Sequence, residues 1–216
     1  MVSVELLIEA KAAFSALCAR PEATVTLPIV AMDRVSLTVN AWPVGTTAED
    51  WQWGVVEVGG ELRVIRSVGP DATVRWARPL AGLEAASATL STGPLAGAVC
   101  RLGGGSRRER EVTIWVASVA AETKLLGHRY GSRSHTPELM VSFTERFMPD
   151  DGAEFEARGL LAAQAAEQIA EVLEHGLSAP VLPTNTSVDW WLEGEAGAEP
   201  LACYGFEVRA RREERV

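Results

Sequence analysis

The chain has little of what marks a disulfide-built, metal-loaded or membrane-embedded protein. Its three cysteines, Cys18, Cys100 and Cys203, are far apart and odd in number, which excludes a disulfide framework and reads as reduced, buried thiols in a cytosolic setting. Three histidines leave little for a metal site. His128 and His135 stand in one polar stretch beside Glu122 and Glu138, without the tight spacing that zinc ligands need. No uninterrupted apolar run approaches the length of about eighteen residues that spans a bilayer. The opening MVSVELLIEAKAAF carries Glu5 and Glu9 inside its apolar part, which argues against a secretory signal. Nucleophile elbows, HExxH pairs and P-loop lysines are also missing. The run Gly103-Gly104-Gly105-Ser106 with Arg107 and Arg108 precedes strand-like sequence rather than a helix, so it reads as a linker and not a phosphate cradle. The expectation is a protein that is not an enzyme and holds no cofactor and no metal.

Excess acid is what the composition does contain. The formal charge is −9, which favours solubility and opposes general binding to nucleic acid. The strongest local pattern is the helix expected over 153–175. Leu161, Ala165, Ile169 and Val172/Leu173 recur at helical spacing, with Glu167, Gln168, Glu171 and Glu174 placed on the other face. Asp150 and Asp151 offer N-caps, Gly176 a left-handed C-terminal stop, and His175 a side chain placed to interact with the carbonyl end. Strands are expected on both sides of it, at 139–147, 188–192 and 202–211. A second helix is expected over 2–20, with a stripe of Val4, Leu7, Ile8, Lys11, Phe14, Leu17 and Cys18, stopped by Pro21.

From residue 22 to 100 the helical period gives way to β alternation. Strands are expected at 24–31, 34–41, 51–58, 61–68, 73–78 and 88–91. Gly59-Gly60 signals a primed hairpin turn, and Asp33-Arg34 and Pro70-Asp71 signal further turns. The two Pro-Leu-Ala-Gly runs, at 79–82 and 94–97, read as strand connections. The fold class expected is therefore α+β: an antiparallel sheet covered by a long helix, with an inserted small all-β barrel or sandwich. The domains expected are a discontinuous α+β domain, 1–21 with 107–216, and an inserted β-rich domain, 22–106, ending in the Gly-rich linker.

Between the expected strands at 112–119 and 139–147 lies 120–137, rich in Lys124, Arg129, Arg133, His128 and His135. It is long and polar for a turn, and is expected to protrude, with a short helical start at 120–126. The chain has seven tryptophans. Trp51, Trp53 and Trp76 alternate with polar neighbours, as residues of a barrel core do or as a sugar-stacking face does. Trp190-Trp191 point to opposite sides of a strand, so covering both takes a second layer, such as a neighbouring subunit. Arg209 and Arg211 share the polar face of the last strand, which suits water or a partner.

The order of elements (opening helix, strand pair with an excursion, Ala/Glu/Leu-rich helix, closing hairpin) resembles the tail-terminator and neck proteins of long-tailed bacteriophages, over roughly 1–20 and 107–216. The resemblance implies a structural subunit of the virion, assembled in the host cytoplasm. Such a subunit forms a ring, expected to be a hexamer, between tail tube and head connector. DNA passes through the ring without specific binding, and no membrane is involved. The 22–100 region departs from the compact family pattern and resembles the small β-barrels that serve as docking modules in neck and tail proteins. The expected subunit interface comprises Lys124, Arg129, Arg133, Trp190, Trp191, Arg209 and Arg211. The basic excursion would face an acidic neighbouring surface bearing Glu193, Glu195 and Glu199. The alternative is a binding module that recognises carbohydrate or protein through Trp51, Trp53 and Trp76, and a third reading is an enzyme of unrecognised type, with His128 and His135 as the residues to test.

Overall fold

A computed structural model describes residues 2–103, 110–126, 130–147, 152–178, 181–193, 201–211 and 214–215. It opens with α1 (Val2–Cys18), followed by β1 (Thr24–Met32), β2 (Ser36–Val39), a 3-10 turn (Ala48–Asp50), β3 (Val55–Val58), β4 (Glu61–Val64), β5 (Ser67–Val68), β6 (Thr73–Arg75) and β7 (Ser87–Ser91). These seven strands form one curled antiparallel sheet in the order β4-β3-β7-β1-β2-β6-β5. The turn chemistry read from the sequence sets the joints. Gly59 and Gly60 sit at φ 58° and 82°, and Val58 pairs with Glu61 across them, a geometry that glycine adopts without a Cβ penalty. Asp33 Oδ1 accepts the amides of Val35 and Ser36, each at 2.7 Å, and so builds the β1–β2 turn.

Two devices curl this sheet. Thr24–Pro28 of β1 pair with β7, whereas Ile29, Ala31 and Met32 pair with β2, with the register slipping between Ile29 and Ala31. The segment 61–68 then serves both edges. Ile65 exchanges hydrogen bonds with Trp53 and Gly54 beside β3, and the next amide, Arg66, donates to Arg75 O at 2.8 Å beside β6. Inside the curl lie Leu37, Val39, Trp51, Val56, Val58, Ile65, Val74, Trp76, Leu80 and Leu90, all buried. At roughly 1.5–3 kcal/mol for each large apolar side chain, this core is the main force holding the strands together.

The second sheet contains β8 (Val99–Leu102), β9 (Arg110–Leu126), β10 (Tyr130–Phe147), β11 (Leu182–Glu193), β12 (Leu201–Arg211) and β13 (Glu214–Arg215), with α2 (Gly152–His175) between β10 and β11. The path is β11-β12-β10-β9-β8, and β13 extends β12 by pairing with Ser134 and His135 of β10. β8 runs parallel to β9, so the sheet is mixed rather than antiparallel.

The expected sheet covered by one long helix is corrected: the molecule is mostly β, two sheets with two α-helices among the described residues. Two physical causes account for the difference. β9 and β10 form one continuous hairpin ladder, so residues 120–126 are strand rather than helix. The covering layer is also divided: α1 packs on β8 and β9, while α2 packs on β11 and β12 and reaches β4 of the first sheet. Their shared core holds Leu6, Ala10, Phe14 and Leu17 of α1, Ile114 of β9, Leu139, Val141 and Phe143 of β10, and Ala165, Ile169 and Leu173 of α2, together with Leu95 and Ala98 from the connection before β8.

The expected stripe of α1 is displaced. Leu6, Ala10, Phe14 and Leu17 are buried, while Val4 and Ile8 are 56% and 60% exposed. On α2, Gln168 is buried at 0% exposure rather than placed on the solvent face. Gly176 does not adopt positive φ; the helix end is closed by Gly176 N donating to Val172 O at 2.8 Å and Val181 N donating to Leu173 O at 3.0 Å. The expected caps Asp150 and Asp151, and most of the Gly-rich run, lie outside the described residues. No helix of the described residues is long and apolar enough to cross a membrane.

Candidate functional site

Two places are the candidates: the β9–β10 hairpin and the joint between α2 and the first sheet. The hairpin ladder runs from Glu145↔Arg110 to Tyr130↔Leu126. Near its base it has neighbours on both sides, since β8 pairs with Glu111–Ile114 of β9 and β12 pairs with Glu138–Phe147 of β10. Beyond Ser134, where β13 ends, residues 130–133 pair only with β9 among the described residues. Residues 115–126 pair only with β10, among the described residues.

The expected interface residues fall at separate stations on this sheet. Lys124 pairs with Ser132 and Arg133 with Thr123, both in the distal ladder. Arg209 stands between Met140 and Asn185, and Arg211 between Glu138 and Leu182, where β12 meets β10. Trp190 and Trp191 pair with Tyr204 and Cys203, which in turn pair with Glu145 and Arg146. Ser132 and Arg146 mark the two ends of that series on β10 and are separated by about 48 Å at ~3.4 Å per residue. The structure thus spreads these residues along the sheet and does not gather them into one cluster. Arg129, His128, Glu195 and Glu199 lie outside the described residues, and Glu193 closes β11 opposite Leu201.

The three tryptophans of the alternative reading are placed differently. Trp51 and Trp76 are 1% and 4% exposed, within the core of the first sheet. Trp76 Nε1 donates to Arg34 O at 3.1 Å. Trp53, at φ 64°, is partly buried and packs against the other core, so the first two rings serve packing rather than an open face.

The joint is polar and largely satisfied. Gln168 Nε2 donates to Trp53 O at 2.6 Å and Thr92 O at 3.2 Å, and its Oε1 accepts from Leu95 N at 3.3 Å. Beside it, a cleft of about 290 Å³ is lined by Arg63, Arg66 and Arg78 facing Glu167, Glu171 and Glu174. Arg66 grips Glu171 through Nε at 3.0 Å and Nη2 at 3.3 Å. Arg63 is held by Glu61 and by the carbonyls of Arg78 and Pro79. Arg78 lies 3.6 Å from Glu167. The guanidiniums are matched by carboxylates, which makes the cleft a fastening and not an anion receptor.

At the base of β9, Arg110 joins Glu145 at 3.1 Å, Glu22, and Ala96 O at 3.2 Å. Burial pulls its pKa down, but the charges of Glu145 and then Glu22 outweigh that pull and raise it overall. Arg20 is pushed below its ordinary value by burial, which Asp50 offsets in part. Among the described residues, no group of three or more His, Cys, Asp or Glu side chains is placed to hold a metal.

Sequence reasoning missed Gln168 and the Arg110 cluster. Gln168 had a signal, because Ala165, Gln168, Ile169 and Val172 follow the i, i+3, i+4, i+7 spacing of one buried face. The Arg110 cluster had none, because its partners Glu22, Ala96 and Glu145 come from remote segments of the chain. No protein-family model matches the chain, and no curated protein matches it in sequence.

Proposed function

We propose that this chain is a structural subunit of a bacteriophage virion, a tail terminator or neck protein. In this reading it assembles into a ring that joins the tail tube to the head connector. The observation that carries it is the distal β9–β10 ladder, which continues past the last pairing with β8 and β13. A two-stranded ribbon is at best marginally stable alone in water, so an extended one is a natural element for a neighbouring subunit to cover. A ring needs two different patches per subunit, and the ladder and the sheet around β11 and β12 are two such places. The order helix, long strand pair, helix, closing hairpin supports the family resemblance. A charge of −9 suits a channel through which DNA slides, because few phosphates are neutralised.

The test is light scattering and negative-stain electron microscopy of the purified chain, followed by mixing with isolated tail tubes. A ring, expected to be hexameric and to have a hole wide enough for duplex DNA, is the expected result. A strict monomer at micromolar concentration that also fails to add to tube ends would overturn the proposal.

A further inference from the structure

The second sheet has an open edge on each side. On one side, β8 covers β9 only as far as Ile114, where Gly103, at φ 77°, donates to Ile114 O at 3.0 Å. From Trp115 to Leu126, no strand among the described residues pairs with β9 on that side. On the other side, β11 pairs with β12 alone among the described residues. An open edge presents a row of amides and carbonyls to any strand that can reach it.

Irregularities trim the two edges to one length. Glu138 pairs with Ser118 and Leu139 with Val116, so Ala117 is an extra residue in β9, and the regular edge beyond it runs from Ser118 to Leu126. Pro183 pairs with Ala210 and Asn185 with Arg209, so Thr184 is extra in β11, and its regular edge runs from Asn185 to Glu193. Each stretch is nine residues long (118–126 and 185–193). Pro183 has no N–H to give, so with the bulge after it an added strand stops there.

Direction matches as well as length. Every neighbouring pair in the run β11-β12-β10-β9 is antiparallel, so β11 and β9 point in opposite senses. A second copy set beside the first, with its sheet the same way up, brings its β11 antiparallel to β9, and the alternation holds however many copies follow. The two edges belong to different strands, which is what a head-to-tail contact needs.

We propose that neighbouring subunits join by strand addition, the distal edge of β9 (118–126) pairing antiparallel with the edge of β11 (185–193) in the next copy. This rests on the ring reading above and names its seam. Charge selects the register. With the ends flush, Ser118 opposite Glu193 and Leu126 opposite Asn185, two like charges meet at Glu122 and Asp189. A slip of two residues keeps every residue on its own face of the sheet, sets Lys124 opposite Asp189 and Leu125 opposite Val188, and retains the pairing of 120–126 with 187–193.

The experiment mixes two full-length chains, one carrying Lys124→Cys and the other Asp189→Cys, and oxidises them with copper phenanthroline. Disulfides are mapped by mass spectrometry without reductant, and assembly is followed by light scattering. The expected product is a link from position 124 of one chain to position 189 of another, found in the mixture and in neither chain alone. In a second measurement, Lys124→Glu should raise the concentration needed for ring formation roughly threefold or more at low salt, and adding Asp189→Lys should restore it. If the mixed chains form rings without the 124–189 link, or if the charge swap fails to restore assembly, the seam is wrong and the ring reading stands. Links of 124 to 124 or of 189 to 189 would replace the seam with a two-fold contact. A wild-type chain that stays monomeric overturns the ring reading and the seam together.

Discussion

Gln168 lies against Gly93 so closely that a Cβ on the glycine would stand 2.5 Å from Gln168 Nε2. The glycine is at φ +84°, a conformation that opposes a side chain on its own account. Gly93 therefore admits the amide that fastens α2 to the backbone of Trp53, Thr92 and Leu95. This follows from chain order as well as from packing, because Thr92 and Leu95 flank the glycine.

Gly93→Ala should cost about 2–4 kcal/mol, from backbone strain and collision together. Gln168→Ala should cost a similar ~2–4 kcal/mol by leaving buried backbone groups unsatisfied. In the double variant the shortened side chain relieves the collision. Chemical denaturation of the four chains should thus give a combined loss about 1 kcal/mol or more below the sum. Strict additivity would show that the two positions do not share one constraint.

Arg110 and Arg66 should differ in weight even though each bonds to a glutamate. The Arg110 and Glu145 side chains are 21% and 7% exposed, whereas those of Arg66 and Glu171 are 36% and 21% exposed. Arg110→Met removes a guanidinium from beside a nearly buried carboxylate and should cost about 1–3 kcal/mol, an amount discounted for the exposure of the arginine. Arg66→Met should cost only ~0.5–1 kcal/mol, and less in high salt. Urea midpoints at low and high salt check the order; equal losses would contradict it.

Much of the first sheet was legible because its joints are local. Gly59-Gly60 and Asp33 each fix a turn with atoms only a few residues away, and six expected strands overlap observed ones. Its curl was not legible, because the use of 61–68 on both edges depends on remote partners, Gly54 and Arg75. The length of β9 and β10 was hidden for another reason. Residues such as Lys124, Ser132 and Arg133 show no apolar alternation, and their strand character comes from pairing with each other. Within the expected interface, the strand positions of Trp190, Trp191, Arg209 and Arg211 were legible from alternation, but their spacing along β10 required the register.

Acid should weaken the first sheet through its turns. Backbone hydrogen bonds, from Val35 to Asp33, from Thr47 to Asp50 and from Ala81 to Glu61, hold these carboxyl groups below their ordinary range. A depressed folded-state pKa contributes stability that is present above the unfolded value, about 4, and is lost as pH falls through the folded value. Tm should therefore fall on acidification below about pH 4. Asp33→Asn should flatten part of that slope, since the amide oxygen still accepts bonds but does not titrate. An unchanged slope in thermal melts across pH would count against this account.

The sharpest separation of folding from assembly lies in the hairpin. The described core uses Ile114, Leu139, Val141 and Phe143, all on the proximal side of the ladder. Replacing 119–137 with Asn-Gly, which favours a tight hairpin turn, keeps Ser118 opposite Glu138 and every β8 and β12 pairing. It removes the distal ladder and the short contact with β13. If the ladder joins subunits, the shortened chain should melt within about 5 °C of the wild-type monomer, because the two cores are intact, yet sediment as a monomer and add to no tail tube. A shortened chain that still forms rings would place the interface elsewhere. One that is also monomeric but loses its cooperative melt would show that the distal ladder belongs to the fold of the single subunit and not to the joint between subunits.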